Sequence, residues 1–206
     1  RRLPEQRAEL YNSIITWLSR SREQRPGRAT ADETVAVLQE LALAMQDDTG
    51  GRKRQVSKRW GAEKIAAKVI KVAGKSGKVT DDWVARAQRF LDEEEVDSGI
   101  IVGRGADVVF WHLTFQEFLA AKAIASRLDE QQRKILFTDP EKIYLPEWRE
   151  VILLLAGILH EQGSEKVDGF VSAVLDALPV WHGLLVGRAD LRSRTGGGPP
   201  ERFPEE

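Results

Sequence analysis

Apolar residues recur at helical spacing from the first turns of the chain. Ala8, Tyr11, Ile14, Ile15 and Leu18 follow Pro4 at intervals that predict an amphipathic helix of about five turns. The polar stretch from Ser19 to Arg28, broken by Pro26-Gly27, reads as a linker. Helical spacing resumes from Asp32 to Met45 through Val35, Leu38, Leu41 and Ala42, and Asp47-Asp48-Thr49-Gly50-Gly51 ends it. The basic cluster Arg52-Lys53-Arg54-Gln55-Val56-Ser57-Lys58-Arg59 then precedes a short helix from Ala62 to Val72, closed by Gly74 and Gly77. Thr80-Asp81-Asp82 offers N-capping oxygens to the next helix, which carries Trp83, Val84, Ala87, Phe90 and Leu91.

The period then shifts from helix to strand. Ile100-Ile101-Val102 and Val108-Val109-Phe110-Trp111 flank Gly103-Arg104-Gly105-Ala106-Asp107 and predict a hairpin with a five-residue loop. Helices followed by a hairpin are in the order of a winged-helix domain. The expected fold class is therefore mainly α with a small β-hairpin: a winged-helix domain flanked by helical segments. After the hairpin, the Thr-x-x-Glu spacing of Thr114 and Glu117 predicts a capping box and a helix from Thr114 to Leu128. Phe115, Phe118, Leu119, Ile124 and Leu128 form its core-facing side. His112 would stand at the strand-to-helix junction, beside the free amides and partial positive charge that a helix N-terminus offers an anion. Its competing role is a junction histidine bonded to a nearby carbonyl. Further on, Pro146 to Leu159 and Val167 to Leu178 predict a helical pair, of the kind that can begin a solenoid. From Arg188 the chain lacks an apolar face and reads as a flexible tail.

Composition narrows the chemistry. Lys and Arg total 31 against 32 acids, a net charge of −1, so there is no general attraction to nucleic acid or an anionic membrane. The absence of cysteine removes disulfides, thiol nucleophiles and thiolate metal sites, and fits a cytoplasmic setting. His160 and His182 lie apart, with no acidic cluster at ligand spacing, so no metal site is expected. No apolar run reaches the roughly 18–20 residues that span a bilayer. The six tryptophans are dispersed, which suggests core and inter-helix packing. With no initiator methionine and a helix already under way, the chain reads as a piece of a longer protein.

Several segments, taken in order, resemble the NACHT-type signal-transducing NTPases, the group that includes NOD-like immune receptors and bacterial antiphage sensors. Leu3-Pro4 with Arg7-Ala8-Glu9-Leu10-Tyr11 resembles the last helix of the small helical domain that follows the family's nucleotide-binding core. Phe90-Leu91-Asp92-Glu93-Glu94-Glu95 with Ser98-Gly99-Ile100-Ile101-Val102 resembles the last helix and wing of its winged-helix domain. His112-Leu113-Thr114-Phe115-Gln116-Glu117-Phe118-Leu119-Ala120-Ala121 is similar to that domain's most specific phrase, and Trp148-Arg149-Glu150-Val151 with Leu153-Leu154-Leu155-Ala156 to the helical region after it. The resemblance implies the end of a small helical domain over residues 1–28, a winged-helix domain over 29–112, a following helical region over 113–187 and the tail over 188–206.

It also implies a regulatory function. His112 would contact a phosphate of ADP and hold the winged-helix unit on the core, with Thr114 and Glu117 capping the helix there. ADP or ATP with Mg²⁺ would be bound by the parent protein, and none by this fragment. The partners would be the upstream core of the same chain and, on activation, further copies of it, with signalling in innate-immune or antiviral defence as output. The phosphate-binding loop, the acidic Mg²⁺ site and the adenine-contacting proline of the family belong upstream, so the fragment alone should not hydrolyse ATP. Gly74-Lys75-Ser76 does not supply the loop, because a P-loop glycine would have to stand where Val69 does. The alternative is a winged-helix DNA-binding module using Arg52, Lys53, Arg54, Lys58 and Arg59 on phosphates. Against it, Glu93, Glu94 and Glu95 precede the wing, and Arg104 is the wing loop's one cation. Interdomain contact or a solvated loop is the expected use of the basic cluster. A helical scaffold is the third possibility.

Overall fold

The computed structural model describes residues 7–20, 28–138 and 142–177. Pro4, Pro26-Gly27, Trp181, His182 and the tail from Arg188 fall outside them. The chain divides into two compact units, residues 1–167 and 168–206. In the first unit, α1 (Arg7–Arg20) and α2 (Ala31–Gln46) lead to strand β1 (Gln55–Ser57), then α3 (Lys58–Val72), α4 (Asp81–Asp97), β2 (Ile101–Arg104) and β3 (Asp107–Phe110). Next come α5 (Leu113–Ala125), α6 (Asp129–Phe137), 3-10 turns at Lys142–Tyr144 and Pro146–Trp148, and α7 (Arg149–Gln162). The last described helix, α8 (Ser164–Ala177), crosses the division between the units.

The strands form an antiparallel sheet in the order β1-β3-β2. Its pairing sets Val56 opposite Val108 and Ile101 opposite Phe110, and all four are buried, so one face closes on the helices. The hairpin is tighter than the sequence suggests: β2 continues to Arg104 and β3 starts at Asp107, leaving a two-residue turn, Gly105-Ala106. The strand β1 lies inside the basic cluster, and its alternation Gln55-Val56-Ser57 buries only the valine.

The core centres on α2 and α5, which pack along each other, with α3 and α1 against α2 and α7 against α5. Leu38, Leu41, Met45, Phe118, Leu119 and Ile124 are fully buried. Each side chain of this size contributes about 1.5–3 kcal/mol by leaving water. α1 is fastened to the same body, with Asn12 Oδ1 accepting from Lys122 Nζ at 2.7 Å and Arg7 paired with Glu150 at 2.8 Å. Two packing expectations fail. Leu128 lies beyond the end of α5 and is 73% exposed, and of the described tryptophans only Trp148 is buried, whereas Trp17 and Trp111 are 71% and 68% exposed.

Gly74-Lys75-Ser76 terminates α3. Gly74, at a φ of 67°, donates its N–H to Lys71 O, and Lys75 N–H reaches Ile70 O, the paired closure of a Schellman cap. At the far end of α4, Glu93, Asp97, Asp92 and Glu95 crowd a helix C-terminus that disfavours acids. Arg28 pairs with Glu93 and Asp97, and Lys58 with Asp92 and Glu95. Those hydrogen bonds to Glu95 and Asp92 hold the Lys58 ammonium above its usual range. Gly103 is part of this arrangement, since a Cβ there would fall 2.4 Å from the Glu95 carboxylate.

Candidate functional site at the mouth of α5

β3 ends at Phe110, and the Trp111 N–H donates to Ile100 O at 2.9 Å, so the chain is held in extended form until it turns into α5. His112 makes that turn, at φ −128° and ψ 136°, and is the N-cap residue. Its imidazole Nδ1 accepts from the Thr114 N–H at 3.2 Å and lies 3.0 Å from Thr114 Oγ1. The cap expected at Thr114 therefore falls two residues earlier, and the helix begins at Leu113. A ring whose Nδ1 accepts a backbone N–H carries its proton, when neutral, on Nε2. The exposed His112 presents that N–H as a donor.

This geometry also revises what the helix end can offer an anion. The Thr114 amide is paired with the imidazole and the Phe115 amide donates to His112 O at 2.9 Å. The imidazole, more than a row of free amides, is the group available to a ligand.

Glu117 points the other way. Its side chain is 7% exposed and pairs with Arg52 Nη1 at 2.9 Å, while Arg52 Nη1 also donates to Glu147 O at 3.3 Å. Glu117 therefore forms no capping box with Thr114. Burial pushes its carboxyl above the ordinary value of 4.5, with the Arg52 charge opposing the shift. Gln116, also buried, donates to Lys53 O at 3.0 Å, and Gln46 donates to Glu147 O at 2.8 Å. Gln116 and Glu117 thus strap the segment before β1 onto α5. Nothing in the local spacing pointed to this pairing, because Arg52 and Glu117 lie 65 residues apart.

The basic cluster is largely neutralised from within. Arg52 is paired with Glu117, Lys53 with Asp48 at 3.2 Å, Lys58 with Asp92 and Glu95 at 2.9 and 2.5 Å, and Arg59 with Glu63 at 3.2 Å on the surface. Arg54 has no such partner among the described residues. In winged-helix order, α4 is the helix that would enter a DNA groove. It carries Asp81, Asp82, Asp92, Glu93, Glu94, Glu95 and Asp97 against Arg86 and Arg89, and even with Arg28 and Lys58 paired to four of these acids it presents no net positive charge to phosphates. Among the described residues no group of three or more His, Asp or Glu side chains could hold a metal ion, and no helix is long and apolar enough to cross a membrane.

No curated protein and no solved structure matches the chain. Residues 7–124, from the start of α1 to the last turn of α5, match the family described as "winged helix-turn-helix domain C-terminal to NACHT". The span takes in the sheet, the paired helices and the histidine mouth, more than half of the chain, and the protein belongs to that family.

Proposed function

We propose that this chain is the regulatory winged-helix segment of a NACHT-type NTPase: it packs on the nucleotide-binding core of its parent, and His112 donates a hydrogen bond from Nε2 to a phosphate of the bound nucleotide. The observation that carries this reading is the fixed imidazole. With Nδ1 accepting from the Thr114 N–H, the neutral ring offers its Nε2–H to an anion; protonation at Nδ1 would add Coulomb attraction while exchanging the Thr114 amide for the Thr114 hydroxyl as partner. The residues present fit a phosphate oxygen as one contact. The remainder of the nucleotide, with Mg²⁺, belongs to the core, which supplies most of the affinity and any hydrolysis. Exchange or loss of the contacted phosphate changes the relative stability of packed and released states, and release exposes surface for self-association.

The test is ADP retention by the full-length parent. His112→Ala should speed ADP release by about tenfold, the value of one charge-assisted hydrogen bond. Thr30→Ala, which weakens a helix cap away from the mouth, should leave release unchanged. Unaltered retention in His112→Ala would rule out the phosphate contact.

A further inference from the structure

Beside the mouth of α5, on the outward face of the sheet, lies a cavity of about 300 Å³ lined by Arg54, Gln55, Arg104, Val109, Trp111 and Gln116, among others. It is bounded by β1, β2, β3 and the first turns of α5, with Arg54 immediately before β1 and Trp111 immediately after β3. Arg54 and Arg104 are both exposed, and neither guanidinium forms an ion pair or hydrogen bond with a described residue. No carboxylate lines the cavity. The nearby carboxylates have closer partners: Asp107 Oδ2 accepts from Gln55 Nε2 at 2.6 Å, and Glu117 pairs with Arg52, so that Arg54 acts on Glu117 only through space. Trp111, 68% exposed, and Val109 supply an apolar wall.

We propose that this cavity is a docking site for an acidic peptide segment, taking a carboxylate side chain between Arg54 and Arg104 and an adjacent aromatic or aliphatic side chain against Trp111. Charge complementarity selects the sign of the occupant. Two guanidinium groups without a contacting carboxylate line one cavity, and a carboxylate entering it can accept from them with bidentate geometry. Size and polarity select the class. The volume is at the small end of ligand pockets, about 300–1,000 Å³, which suits one or two side chains better than a nucleotide. The apolar wall rewards a ligand that brings hydrocarbon with its charge, which a bare phosphate does not. Arg and Trp are also the side chains that most often carry binding energy at protein interfaces. This inference rests on the cavity alone and holds whether or not His112 touches a nucleotide.

A random-peptide display library selected on the 206-residue chain, in parallel with an Arg54→Gln/Arg104→Gln variant, tests it. The chain should enrich peptides that place Asp or Glu next to an aromatic or aliphatic residue. The best of them should shift the Trp111 indole N–H resonance saturably, bind more weakly as salt rises, and lose at least about tenfold in affinity on the double variant. Trp111→Ala should weaken the same peptide, with circular dichroism and thermal midpoint unchanged in both variants. Pools without acidic enrichment, or peptides that bind the double variant equally well, would overturn the site. Saturation of the Trp111 shift by pyrophosphate at lower concentration than by the peptide would overturn the choice of occupant.

Discussion

Thr30 and Glu33 at the start of α2 have the same Thr-x-x-Glu spacing as Thr114 and Glu117 at the start of α5, and the two helices treat it differently. At α2 the box closes: Glu33 N–H donates to Thr30 Oγ1 at 3.3 Å, and Thr30 N–H donates to Glu33 Oε2 at 2.8 Å. At α5 it does not, because His112 arrives first with an imidazole acceptor and Glu117 lies on the face that meets Arg52. The spacing of a capping box describes reach along the chain and says nothing of where the helix starts or which way the glutamate faces: Glu33 is the third residue of α2, whereas Glu117 is the fifth of α5. Where that face is at the surface, the glutamate can turn back to the backbone. Where it is interior, a buried carboxylate needs a cation, and the cation decides its orientation.

The difference should be measurable as stability. Arg52→Ala leaves Glu117 buried without its partner and should destabilise the chain by about 3–5 kcal/mol in chemical denaturation. Thr30→Ala removes a working cap and should cost about 1 kcal/mol, whereas Thr114→Ala should cost only a few tenths, because the amide it was expected to serve is not its partner. A Thr114→Ala loss as large as that of Thr30→Ala would mean that the boxes are equivalent after all. His112→Ala, which deletes the side-chain acceptor at α5, should fall between them at about 0.5–1 kcal/mol.

The smallest effect is in pH. The folded carboxyl of Glu117 is held above 4.5, so between that value and its raised folded value the folded chain binds a proton that the unfolded chain lacks. The contribution of Glu117 to stability therefore falls as pH rises through this window and improves as pH drops back. Relative to Glu117→Gln, the native chain should gain stability on acidification through the window. An unchanged difference between the two would show that burial does not control this carboxyl.

The same contrast explains how far the sequence could be read. The helices α1 to α5 and the hairpin were legible because each carries its own periodicity, apolar at three and four along α2 and in β-favouring runs at β2 and β3. β1 was not, since three residues with one apolar position have no period, and its partner β3 lies some 50 residues on. α6 was missed for a related reason: Gln132 and Leu136 are its only buried residues, and polar side chains cover the rest. At the site, His112 was legible as a junction residue from the change of period around it. The roles of Thr114, Glu117 and the cations were not, because Arg52, Lys53 and Lys58 find acids supplied by other elements and adjacent turns. A run of like charge in sequence does not have to be a charged surface in the fold.

The mouth of α5 is divided: Glu117 is turned inward and His112 is held with Nδ1 as acceptor and Nε2 as donor. Long-range ¹H–¹⁵N correlation spectra of the His112 ring, recorded where the imidazole is neutral, measure this directly. The native chain should show the Nε2–H tautomer, with that bias weakened in Thr114→Pro, which lacks the donating amide. A native ring protonated on Nδ1 would contradict it, since the imidazole would then neither cap α5 nor present the proposed donor.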